Sequence, residues 1–127
     1  MSESEQQIVN MFKYEKGKFY IIAVYIGIDR GTLRHELAHA LFYTNPAYRK
    51  RVLSALKKYD IQKLKDEIYS SNAYRKELLD DEAHACIIGT LHEMKSKAPP
   101  ELKEKLEMIF DSFSAFDEDV FRACGAI

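Results

Sequence analysis

Few cysteines, no long hydrophobic run and no surplus of either charge set the first limits on this 127-residue chain. Cys86 and Cys124 allow at most one disulfide, which excludes a disulfide framework; both are expected to be reduced, with Cys86 a small buried residue. The longest apolar run, residues 19–28, has about half the length of a membrane-crossing helix and contains Gly27. The first residues are acidic and polar, unlike a secretory signal, so a cytoplasmic protein with no membrane partner is expected. Lys and Arg number 19 against 20 Asp and Glu, a formal net charge of −1 that argues against nucleic acid as a partner. The short basic groups Arg49-Lys50-Arg51 and Lys57-Lys58 read as solvated helix faces.

A hydrophobic fraction of 46% with seven Phe and eight Tyr is ample for one core, and the length suits a single domain over 1–127. Residues 4–14 alternate like a strand but also carry a helix-opening Ser4, and the strand is favoured. After a turn at Lys16-Gly17, residues 18–26 are rich in β-branched and aromatic residues and are expected to form a strand that ends at Gly27. Helical spacing then takes over. Segments are expected from Thr32 to Asn45, capped by Thr32 or Asp29, over 47–59, over 61–68 with Asp60 as cap, over 74–97, and over 101–116. Tyr69-Ser70-Ser71-Asn72 reads as a loop. The expected class is therefore α+β, mainly helical, with a small N-terminal sheet or hairpin beside the helix that begins near Thr32.

That helix carries His35-Glu36-Leu37-Ala38-His39. On a helix the two histidines project from one face a turn apart and can hold one metal ion. Glu36, about 100° round from His35, can reach a water on that ion without being a ligand, as a general base must. No Gly or Pro interrupts residues 32–45, and Leu33, Leu37, Leu41 and Phe42 call for burial. Two imidazoles and a carboxylate buried within five residues are costly unless a cation satisfies them, which weighs against an ordinary core helix. The pattern is that of a zinc peptidase.

Catalytic zinc usually keeps three protein ligands and an open position. A histidine six residues beyond His39 would complete a metzincin pattern, but Phe42 and Asn45 stand where Gly and His are required. No Gly-rich, Cys-containing motif precedes the helix to make a deformylase-like site. A later carboxylate is left. Leu78, Glu82, Ala85, Cys86 and Gly89 share one helical face, so Glu82 points inward, and the small residues one turn on leave room for the metal helix. Asp80 or Asp81 suits the outer role of accepting the second ring N–H of a ligating histidine. His84, on another face, is a rival ligand, a substrate-side group or neither.

His35-Glu36-Leu37-Ala38-His39 followed some forty residues later by Asp81-Glu82-Ala83-His84-Ala85 resembles the gluzincin clan of metallopeptidases, and especially its small single-domain, minigluzincin-like members. The likeness covers about residues 19–89, and the second motif departs from many gluzincins in carrying Cys86 where they have Asp. What the resemblance implies is a small sheet beside an active-site helix and a glutamate helix. It also implies one Zn2+ per chain held by His35, His39 and Glu82, with Glu36 as base.

The expected function is a zinc-dependent peptidase acting on a peptide or protein substrate. The strand over 18–26 has an edge that an extended substrate can pair with, or it merely covers the core. Tyr69, Tyr74 and His84 are candidates to stabilise the oxyanion. The tail from Phe121 to Ile127, with Cys124, is a candidate for folding back to block the site, set against a simple packed end. The other class is a non-catalytic helical module that binds metal or a protein partner; Glu36 favours the enzyme, because a purely structural metal site has no use for a base.

Overall fold

The computed structural model describes residues 28–72 and 75–114. Within them the chain forms α1 (Arg30–Thr44), α2 (Pro46–Leu56), α3 (Gln62–Asn72) and α4 (Leu79–Ala85) in succession. The helix carrying Glu82 then widens into a π turn, Cys86–Thr90, and tightens into a 3-10 turn, Leu91–Glu93, before α5 (Pro100–Phe113). A short 3-10 turn, Lys76–Leu78, leads into α4.

The caps explain where the helices start and stop. Asp29 accepts from the backbone N–H of Thr32 at 2.8 Å and from its hydroxyl at 2.7 Å, so Asp29 and not Thr32 is the N-cap of α1. Asn45 ends α1 in extended geometry, as a residue before proline should, and its side chain accepts from Tyr48 N–H to open α2. Pro46 therefore occupies the first helical position, where its missing N–H costs nothing. Asp60 meets the N–H of Gln62 at 3.1 Å, as expected.

The expected α+β class is corrected to a mainly helical one: no strand occurs among the described residues. The segments read as strands, 4–14 and 18–26, lie outside the described residues, as do the tail from Phe121 to Ile127 and Tyr74. The physical basis is that the helices cover one another. Leu33, Leu37 and Leu41 of α1, Tyr48 and Val52 of α2, Leu64 of α3, Ile87 of the π turn and Leu102, Leu106 and Phe110 of α5 all belong to one buried cluster. Among the described residues that core is built by helices and helical turns alone.

Other boundaries shift for local reasons. α3 runs through Tyr69–Asn72, expected as a loop, because buried Ile68 anchors the helix while Tyr69, Ser70 and Ser71 after it are exposed. α2 stops at Leu56, where Lys58 and Tyr59 bond back three residues instead of four. The single helix expected over 74–97 is broken into its 3-10, α and π parts. Glu67 of α3 clasps the far end of that segment, accepting from Lys95 N–H at 2.9 Å and Ser96 N–H at 2.8 Å, which holds its carboxyl below the ordinary range.

One contact sets the spacing of α1 and the glutamate-bearing segment. A methyl group placed on Gly89 would overlap the Gly31 carbonyl and lie 2.6 Å from His35 N, and one on Gly31 would overlap the Gly89 carbonyl. The two backbones touch, and both flanking atoms are main chain that cannot swing away. Gly89→Ala is expected to destabilise the protein by about 1–3 kcal/mol or more through overpacking. Thermal unfolding beside wild type checks this, and an unchanged midpoint would mean that the two backbones are not in contact.

Candidate metal centre

α1 presents His35 and His39 from one face, and the first turn of α4 presents Glu82, with its acids favoured there by the helix dipole. His39 Nε2 lies 3.1 Å from His35 Nε2 and 2.9 Å from Glu82 Oε2, and His35 Nε2 is 3.2 Å from Glu82 Oε1. These three side chains form a group that can hold a metal ion. Their side chains keep 15%, 11% and 15% of their exposure for His35, His39 and Glu82, so the group sits at the rim of the core with solvent within reach.

The outward ring nitrogens are both engaged. His39 Nδ1 lies 3.0 Å from Asp81 Oδ1, and a carboxylate only accepts, so Nδ1 carries the proton. His35 Nδ1 is 2.8 Å from Thr90 Oγ1, and we assign it the proton as well. Each Nε2 then turns a lone pair toward the other and toward Glu82. With both rings neutral, three acceptors face one another at about 3 Å, an arrangement that either an added proton or a metal ion relieves. For zinc bonded at about 2.0–2.1 Å in tetrahedral geometry, neighbouring ligand atoms stand about 3.3 Å apart, close to the separations here. The donor set therefore fits a metal ion.

The electrostatics agree. Burial works to lower the His39 pKa, but the hydrogen bonds its ring donates to Asp81 and Glu82, with their charges, outweigh it and hold the imidazole up at about 10. Burial works to raise Glu82, but its bonds to His35 and His39 bring it down to about 2. Asp81 is likewise lowered against burial by His39 and His84. Without a metal, the cluster retains a proton as its cation.

The residues singled out from the sequence divide clearly. His35, His39 and Glu82 come together. Glu36 follows His35 on α1, half-buried, with no hydrogen bond or ion pair among the described residues. Of the two candidates for the outer role, Asp81 takes it, while Asp80 pairs with Lys65 at 2.7 Å. His84 is fully buried with both ring nitrogens in use, toward Tyr48 and Asp81, so it is neither ligand nor oxyanion donor. Tyr69 is exposed and lines a hollow of about 310 Å³ with Lys65, Lys76 and Asp80. A larger groove of about 550 Å³ between α2 and α5, lined by Lys50, Lys58, Lys105 and Met108, shares no residue with the metal group.

Two participants were not legible beforehand. Thr90 reaches His35 only because of the π turn: in a continuous α-helix it would lie about 80° round from Glu82, and the wider turn over Cys86–Thr90 returns it to that side. Tyr48 reads as one member of an apolar stripe, and the only hint of more was that a buried phenol needs a partner.

No known family, curated protein or solved structure matches this chain. Among the described residues no helix is long and apolar enough to cross a membrane.

The titration of the metal-free cluster has a readable sign. A raised His39 stabilises the fold fully below about pH 6.5, and this contribution is lost as pH climbs through about 10. A depressed Glu82 contributes above its ordinary pKa of 4.5, and this is lost as pH falls through about 2. With chelator present, the melting temperature should therefore decline from pH 6.5 toward 10, and a bound divalent metal, replacing the proton, should flatten that decline. A chelated protein whose melting temperature stays level across this range would contradict the assignment.

Proposed function

We propose that this protein is a zinc-dependent peptidase, with His35, His39 and Glu82 as ligands and Glu36 as general base. The observation that carries the reading is the convergence of two Nε2 lone pairs and one carboxylate from two helices, with a second carboxylate one residue from the first histidine. The same combination is what the resemblance to the gluzincins implies. Zinc in that position is a Lewis acid that polarises a carbonyl and acidifies water.

The chain's own residues supply the rest. Asp81 and Thr90 hold the imidazoles with their Nε2 atoms inward, and two neutral rings with one carboxylate offset only one of the ion's two charges, which keeps it electrophilic. Glu36, about 100° round the helix from His35, takes a proton from the attacking water and returns it to the leaving amine. The substrate is a peptide or protein.

Metal content by mass spectrometry, with cleavage of a peptide library on the same samples, tests the reading. Wild type should hold about one zinc per chain, His39→Ala and Glu82→Ala should lose it, and Glu36→Gln should keep it while cleavage falls about 10²- to 10⁴-fold. No zinc in wild type after zinc is added back would end the metal reading. Zinc bound by a wild type that cleaves nothing would move the protein to the class of non-catalytic metal-binding modules.

A further inference from the structure

The geometry points to Tyr48 and His84 as positioning residues for the metal centre, acting through Asp81 on His39. His84 is 0% exposed, and its Nδ1 lies 2.7 Å from the Asp81 carbonyl oxygen and 3.3 Å from Asp81 Oδ1. Both of those atoms only accept, so Nδ1 carries the ring proton. Nε2 is then an acceptor, and the group facing it at 2.8 Å is the hydroxyl of Tyr48, which must donate. Tyr48 is also 0% exposed, and no other buried phenol among the described residues shares its place.

The direction of every bond follows. Tyr48 donates to His84, His84 donates to Asp81, and Asp81 also accepts from His39 Nδ1. The chain of bonds runs from α2 through α4 to α1. His84 Nδ1 bonds the Asp81 carbonyl and also stands 3.3 Å from Oδ1, the oxygen that accepts from His39, so it favours the Asp81 rotamer that faces His39. His39 in turn cannot exchange the roles of its two nitrogens, and Nε2 stays turned toward Glu82 and His35. Phe42 and Phe113 close over the pair, with ring centroids 5.1 Å from His84 and 5.7 Å from Tyr48. Packing alone would be served as well by two apolar residues of similar size. What the polar pair adds to packing is the direction of its bonds.

This inference rests on the metal reading of His35, His39 and Glu82, and the test separates the two. Zinc affinity is measured by competition with a chromophoric chelator for wild type, Tyr48→Phe, His84→Ala and His84→Asn, with urea unfolding of each and 15N NMR of the histidine rings in the zinc-free protein. His84→Ala should weaken zinc about tenfold. His84→Asn, whose amide N–H can stand where Nδ1–H stood, should recover most of that loss. Tyr48→Phe, one bond further from the metal group, should weaken zinc measurably but less than His84→Ala does, and the wild-type spectrum should show His84 protonated at Nδ1. If His84→Ala does not fold, Tyr48→Phe decides. An affinity equal to wild type in Tyr48→Phe and, where it folds, in His84→Ala, or a His84 ring protonated at Nε2, would overturn the positioning role alone. A wild type that takes up no zinc would overturn the metal reading and this inference with it.

Discussion

Gly31 and Gly89 bring two stretches of backbone together so closely that neither position has room for a methyl group, and the site depends on that approach. The contact lies one turn before His35 on α1 and just before Thr90 on the partner segment. Separating the helices by the width of a side chain would draw Glu82 and Thr90 away from the imidazoles they meet at 3.2 and 2.8 Å. Small residues continue the seam, with Ala83, Ala85 and Ala38 all fully buried. A close crossing of helices thus does for this site what a covalent link does elsewhere: it fixes the distance between ligands that are far apart in sequence.

The polar groups at that crossing are arranged as acceptors around a shared point and donors at the periphery. Two imidazoles and a carboxylate turn lone pairs inward, while Asp81 and Thr90 take the outward ring protons. Such a cluster is unfavourable in a half-buried setting unless positive charge occupies its centre, and the opposed pKa displacements of His39 and Glu82 express that demand. The demand is local. Elsewhere the helices are joined by ordinary surface pairs such as Arg34 with Asp111, 3.6 Å apart, or by Arg34 laid over the ring of Phe110.

Much of this was legible in the sequence because helical periodicity is a local property. The spacing of His35 and His39 decides that both face one way on any helix, Pro46 after Asn45 decides where that helix ends, and the inward face shared by Glu82 and Gly89 follows from counting residues. The residues at 4–26 that alternate or cluster like strands lie outside the described part, and the remainder closes its core with helices alone. Tyr69–Asn72 misled because loop-forming composition is a weak influence beside a buried anchor such as Ile68.

Side-chain identity and periodicity by themselves determined the two histidines, the adjacent Glu36 and the inward set of Glu82. Only the tertiary structure decided which acid stands behind His39, because Asp80 and Asp81 are neighbours whose roles separate when Lys65 of α3 engages one and His39 the other. It also decided that Thr90 faces His35 and that Tyr48 and His84 are partners. Each of these depends on the rotation of one helix relative to another or on a change of pitch within a helix. Such rotations are set by close packing across the whole core, and no local pattern of residues encodes them.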